Sequence, residues 1–331
     1  MRALVVNETT GPDALELVEL PDPALEEGHL VIAVRAAGVS FPDLLLTRGE
    51  YQLKPDPPFT PGVECAGVVE WAPRDSGFAA GDRVMAATML GSFAELVRAP
   101  LPLCFPIPET LDFAQAGGFV MNYHTAHFAL TRRGRLAAGE TLLVHGAAGG
   151  VGTAAIQVGK GLAARVLAVV SDAEKGEIAA QAGADEVILS DEDWVARTKE
   201  LTEGRGAEVV FDPVGGERLE RSPRCMRPEG RLLVVGFAGG TIPAIAANRV
   251  LLRNIDVVGV NWGGFLPHDL GLPAHTDRAL QEMAADGHVK PVVGRRYPLA
   301  DAAEALVDLE QRRARGKLVL EIGAGASAGV E

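Results

Sequence analysis

Up to about residue 110 the apolar positions come in short β-branched runs, RALVV, HLVIAVRAAGV and CAGVVEW. Clusters of Pro and Gly separate them (LPDP, KPDPPFTP, APRDSG), and no helix-length stretch intervenes. The pattern predicts a mostly antiparallel β domain. The segment PLPLCFPIPET carries four prolines, so it is neither a helix interior nor a central strand. It is expected to carry the chain across to a second domain.

After Asp112 the period changes. DFAQAGGFVMNYHTAHFALTRRG has helical spacing, and then strands and helices alternate: TLLVHG, GTAAIQVGKGLA, RVLAVV, AEKGEIAAQAG. Four further apolar runs follow, EVILS, AEVVFDPVGG, RLLVVGF and DVVGVNW. Alternation of this kind predicts a parallel α/β sheet. Beyond Pro267 the spacing predicts two helices, in HTDRALQEMAADG and DAAEALVDLEQRR, and a closing strand, KLVLEI. The small polar tail GAGASAGVE is expected to be disordered.

Composition narrows the function classes. The chain has 331 residues, 47% of them hydrophobic, which is enough for a sizeable core and argues against disorder. Its formal charge of −13 opposes a phosphate-tracking surface, so nucleic acid is not an expected partner. No apolar run reaches the roughly 18 residues of a membrane span. Three cysteines without a CxxC pair make no disulfide framework, and the apolar run in MRALVVNETTGPD is too short for a secretory signal. The chain reads as cytoplasmic.

The strongest local motif is TLLVHGAAGGVGTAAIQVGK. A strand ends at His145, Gly146-Ala147-Ala148-Gly149-Gly150-Val151-Gly152 turns, and a helix starts at once. Glycines there let the backbone approach a pyrophosphate, and the helix N-terminus offers free N–H groups and a favourable dipole. At the end of the next strand stand Ser171, Asp172 and Lys175. A hydroxyl and an ammonium suit the 2′-phosphate of NADPH. Asp172 could instead serve a ribose diol or cap the following helix.

Taken in order, GPDALELVELPDP, AAGVSFPDLLLTRGEY, PFTPGVECAGVV, NYHTAHFAL, HGAAGGVG, FDPVGG and RGKLVL resemble the medium-chain dehydrogenase/reductase superfamily. More narrowly the chain is similar to the zinc-free quinone oxidoreductase branch, which includes zeta-crystallin. The resemblance covers nearly the whole sequence. It implies a GroES-like β domain over residues 1–120, a doubly wound Rossmann domain over 121–264, and a return to the first domain over 265–331. It implies NADPH as cofactor and commonly a dimer or tetramer, of which a homodimer is the expected assembly.

Aligned with the superfamily's alcohol dehydrogenases, Ser40, Val63 and about Met121 stand where catalytic zinc ligands would be. Valine cannot ligate, and zinc prefers thiolate, imidazole or carboxylate, so no metal is expected. His124 and His127 share a helix face but lack a third ligand. The segment Ser40–Tyr51 resembles the family's active-site segment, keeping Asp43, Arg48, Gly49 and Tyr51, with Ser40 for Asn and Leu45 for the first Tyr. Tyr51 and Ser40 are therefore the candidate hydroxyl donors. By the same resemblance Thr125, Gly236, Phe237, Asn261, Trp262 and Lys317 are expected near the cofactor. The implied activity is hydride transfer from NADPH to a small quinone or conjugated carbonyl. A 2-enoyl thioester reductase and a non-catalytic, crystallin-like NADPH-binding protein remain alternatives.

Overall fold

The computed structural model describes residues 1–323, so all of the expected disordered tail but Gly323 lies outside it. The described chain forms two compact units. One comprises Met1–Met121 and the chain from Val293 onward; the other is Asn122–Val292.

In the first unit, β1 (Arg2–Val6) and β2 (Leu15–Glu19) form an antiparallel pair. Next come β3 (His29–Val39), helix α1 (Phe41–Thr47), β4 (Glu64–Trp71), β5 (Arg83–Ala87), β6 (Leu96–Pro100), β7 (Cys104–Pro106) and helix α2 (Phe113–Gly117). The proline-rich segment does not cross between units. It forms β7, which among the described residues pairs only with β5 at the end of the sheet, where a proline-containing strand can sit without breaking a central ladder.

Asp112 caps α2 by accepting the Gln115 N–H at 2.7 Å, and Gly118 closes it. The expected single helix is thus divided. Beyond Gly118 the chain runs through a π-helical turn (Val120–His124), α3 (Thr125–His127) and a second π-helical turn (Phe128–Arg133). Widened turns of this type often mark functional segments.

The second unit holds β8 (Thr141–His145), α4 (Gly150–Gly161), β9 (Arg165–Val170), α5 (Ala173–Gln181), β10 (Glu186–Leu189), α6 (Trp194–Leu201), β11 (Ala207–Asp212) and α7 (Gly216–Arg221). It continues through β12 (Met226–Val234), α8 (Ala247–Arg253), β13 (Asp256–Gly259), α9 (Trp262–Phe265) and α10 (Leu272–Ala285). All six strands pair in parallel, in the order β10-β9-β8-β11-β12-β13. The chain winds outward from β8 in both directions, so the crevice after β8 is the topological switch point where such sheets bind ligands.

The return to the first unit comes at Val293, later than the expected residue 265. Gln157 of α4 explains the delay: its Nε2 donates to the Lys290 carbonyl and its Oε1 accepts the Lys290 N–H, each at 2.8 Å. That clasp keeps α10 and the following loop with the parallel sheet. The chain then forms β14 (Val293–Pro298), α11 (Ala302–Glu310) and β15 (Lys317–Glu321). β15 pairs antiparallel with β3, which places Tyr297, Leu306 and Leu320 in one core with Leu30, Ile32 and Leu44. Burying each such side chain contributes roughly 1.5–3 kcal/mol, so the two ends of the sequence are held together by a shared apolar interior.

Candidate functional site

In the second unit the glycine motif adopts the expected strand–turn–helix. β8 ends at His145, Gly146 takes φ +58°, and α4 begins at Gly150. The turn closes by a Gly149 N–H to Gly146 carbonyl bond of 3.1 Å. A Cβ on Gly152 would lie 2.2 Å from the Gly146 carbonyl oxygen, so this position demands glycine. Ala147 and Ala148 are buried beneath the turn. At the first turn of an α-helix the N–H groups have no intrahelical acceptor, which leaves those of Gly150, Val151 and Gly152 as the groups that could meet an anion.

Ser171 follows the last residue of β9, and Lys175 lies in the first turn of α5. Lys175 Nζ donates to Ser171 Oγ at 2.9 Å, and Ser171 Oγ donates to Asp172 Oδ2 at 2.9 Å. Asp172 Oδ1 accepts the Lys175 N–H at 2.9 Å. Asp172 is thus the N-cap of α5, while Ser171 and Lys175 form one cluster at the strand end.

Gly236 and Phe237 lie just past β12, on a turn stacked against residues 213–216. Ala238 N–H donates to the Pro213 carbonyl at 3.0 Å and Gly239 N–H to the Val214 carbonyl at 2.8 Å. Asp212 secures the lower turn, its Oδ1 accepting the N–H groups of Val214 and Gly215 at 2.7 and 2.9 Å. Burial pushes its carboxyl up to about 6. Asn261 caps α9, its Oδ1 accepting the Gly264 N–H at 2.9 Å. Trp262 is buried, with its ring on His124 at 5.2 Å between centroids. Thr125 opens α3 and is half-buried.

The first unit holds a polar cluster that the sequence only partly announced. Ser40 is the N-cap of α1, and its N–H donates to Asp43 Oδ2 at 2.8 Å. Lys317, at the start of β15, is buried rather than solvated. Its Nζ donates to Ser40 Oγ and to Glu64 Oε1, both at 2.6 Å. Ser40 Oγ lies 3.1 Å from the same Glu64 oxygen, and the Met121 N–H donates to Glu64 Oε2 at 2.9 Å. Glu64 is fully closed to solvent. Backbone room for the pair comes from Gly38, where a Cβ would stand 2.7 Å from Lys317 Cε and 2.8 Å from Glu64 Oε1.

Lys317, the cation expected near the cofactor, donates through its ammonium to Ser40 and Glu64. Glu64 is not among the residues expected at the site, although an acid in the apolar run VECAGVV is a signal of a buried partner. The Tyr51 phenol lies past α1, and burial followed by the Asp43 charge raises it above its ordinary value. Asp43 also accepts the Gly62 N–H at 3.1 Å, and burial raises its carboxyl to about 7.

The zinc-ligand positions present a hydroxyl, an aliphatic side chain and a thioether. The hydroxyl already accepts from an ammonium, which repels a divalent cation, so this donor set does not fit zinc. His124 and His127 are buried, and burial pushes them down to about 3 and about 4. Among the described residues no group of three or more His, Cys, Asp or Glu is placed to hold a metal.

Two family models match the chain: the alcohol dehydrogenase GroES-like domain over residues 26–109 and the zinc-binding dehydrogenase over residues 150–284. Quinone oxidoreductase-like protein 2 of Rattus norvegicus is 34% identical over 324 residues, covering 97% of this chain and 92% of that protein. Among solved structures, a probable oxidoreductase from Mycobacterium abscessus is 42% identical with a TM-score of 0.89, covering 97% of this chain and 99% of the other. The quinone oxidoreductase of Thermus thermophilus, solved also as its complex with NADPH, is 35% identical with a TM-score of 0.83, covering 97% of this chain and 100% of that one.

Proposed function

The chain belongs to the quinone oxidoreductase family of the medium-chain dehydrogenase/reductase superfamily, and we propose that it is a zinc-independent, NADPH-dependent reductase of quinones or conjugated carbonyl compounds. The observation that carries this reading is the pairing of the Gly146–Gly152 turn with the Ser171–Lys175 cluster at the end of the next strand. The N–H groups of Gly150, Val151 and Gly152 would hold the pyrophosphate, and Ser171 and Lys175 the 2′-phosphate. Thr125, Gly236, Phe237 and Asn261 would border the rest of the cofactor.

Bound NADPH supplies the hydride. A conjugated carbonyl is already electron-poor, so the protein need not provide a Lewis acid. Its residues must orient the acceptor, exclude water, and meet the oxygen on which negative charge collects. Ser40 and Tyr51 are the hydroxyls available for the last task.

Thioester reduction is the weaker reading, because a CoA or carrier phosphate needs free cations. The three arginines Arg132, Arg133 and Arg135 are engaged by Asp269, the Gly259 carbonyl and Asp256, at 2.5, 3.0 and 2.6 Å. Three free, buried cysteines fit a cytoplasmic setting. The edge strand β13, with Val257 exposed, supports a homodimer formed by strand pairing across a two-fold axis. Sedimentation of a monomer would remove the dimer from the proposal.

NADPH oxidation measured against quinones, enones and enoyl thioesters tests the function. Turnover is expected with the first two classes. Tight NADPH binding with no turnover of any acceptor would instead mark a cofactor-binding protein without catalysis.

A further inference from the structure

We propose that the Ser40 hydroxyl is the donor that meets the oxygen of the reduced acceptor, and that Lys317 and Glu64 are the buried pair that holds it ready. This rests on the reductase reading above and assigns the oxyanion contact within it. Ser40 is the catalytic residue in this scheme; Lys317 and Glu64 are positioning residues.

The directions of the hydrogen bonds carry the inference. Lys317 Nζ has hydrogens and no lone pair, so at 2.6 Å from Ser40 Oγ it can only donate. The serine hydrogen must therefore point elsewhere. At rest its partner is Glu64 Oε1 at 3.1 Å, the longest bond of the cluster. When that hydrogen turns away, Glu64 keeps Lys317 on Oε1 at 2.6 Å and the Met121 N–H on Oε2 at 2.9 Å. The carboxylate is left satisfied, so moving the serine hydrogen is cheap. Moving anything else is not, because the Ser40 backbone is pinned through its N–H to Asp43 at 2.8 Å.

The ammonium also strengthens the donor. A cation donating into a hydroxyl oxygen withdraws electron density, and charge-assisted bonds are about twice as strong as neutral ones. Lys317 thus acts on the acceptor through Ser40, which itself stands at a position aligned with a zinc ligand of the superfamily's alcohol dehydrogenases. The step balances without an added group. The hydride would come from a C–H bond of the reduced nicotinamide, which breaks to leave NADP+. A new C–H bond forms at the acceptor carbon as the π pair of the conjugated system moves to oxygen. Ser40 donates a hydrogen bond to that oxygen and keeps its proton. Water protonates the product on release.

The test uses p-nitrophenol as an oxyanion probe on the full chain, with the ionisation of the bound probe read by absorbance. Wild type should hold the phenolate about 10- to 100-fold more tightly than the phenol. S40A should abolish the preference, and K317R should keep most of it. Because K317M alone leaves Glu64 unpaired, the charge-neutral E64Q/K317M supplies the second variant, with thermal melting as a check on its fold; it too should lose the preference. A wild type that shows no phenolate preference, or an S40A variant that retains it, overturns the proposal. NADPH turnover measured alongside separates the two readings. Phenolate preference without turnover of any acceptor defeats the reductase reading alone, whereas turnover without a Ser40-dependent preference defeats only this proposal.

Discussion

Lys317 Nζ lies 2.6 Å from Glu64 Oε1 across 253 residues of sequence, with both side chains closed to solvent. This contact joins β15 to β4 through the middle of a β sheet whose strands come from both ends of the chain. An ion pair so placed is costly to break from one side, because the surviving charge stays buried.

K317M is therefore expected to lower the unfolding free energy by about 3–5 kcal/mol, whereas E64Q/K317M should come close to wild type. Urea denaturation of the three proteins checks this. Equal losses in both variants would mean that packing, and not charge pairing, dominates at Lys317.

G152A should cripple cofactor binding. The added methyl would stand 2.2 Å from the Gly146 carbonyl oxygen, so either the turn or the start of α4 must move. Titration calorimetry should show NADPH affinity falling by about tenfold or more, since displacements near 1 Å at such sites cost on the order of 100-fold. Unchanged affinity would mean that the pyrophosphate is not held at this turn.

K175A should weaken NADPH by about 10- to 100-fold, the value of a charge-assisted hydrogen bond, and leave NADH nearly unaffected. Fluorescence titration with both cofactors reads the difference. Equal weakening of the two would remove Lys175 from the 2′-phosphate site.

What could be read from the sequence was local. The Gly146–Gly152 turn, the Ser171–Lys175 strand end and the Asp172 cap each lie within a few residues, where spacing alone fixes the geometry. Both sheets were legible too, because alternation and continuous apolar runs report the burial of a strand's faces. Glu64 and Lys317 were not, since nothing in a strand-edge lysine or a lone acid reveals a partner 253 residues away. The return point at Val293 was hidden for a similar reason: it depends on the two-way bond between Gln157 and Lys290. The division of the helix after Gly118 reflects a backbone that periodicity, which reads only side-chain placement, does not register.

The pH dependence of stability follows from two opposed sets of buried groups. Burial raises Asp43 and Asp277 to about 7 and Asp212 to about 6, from 3.8. Their stabilising contribution is complete below pH 3.8 and is lost as pH rises through the folded values. Burial lowers His124 and His145 to about 3 and His127 to about 4, from 6.5. Their contribution is complete above pH 6.5 and is lost as pH falls. Between about pH 4 and pH 6 the two sets oppose each other, and stability from these groups should be nearly flat. From pH 6.5 to about 7, of these six groups only the contributions of Asp43 and Asp277 still change, so their sum should decline. Urea midpoints of D43N relative to wild type should rise with pH between 3.8 and about 7; a constant offset would contradict the raised Asp43.

Steady-state NADPH oxidation with a quinone, before and after exhaustive chelation of divalent metal, bears on cofactor, acceptor and zinc independence together. A zinc-independent reductase should turn over at the same rate in both states. Absence of turnover, or its loss on chelation with recovery on adding zinc, would contradict the function proposed for this fold.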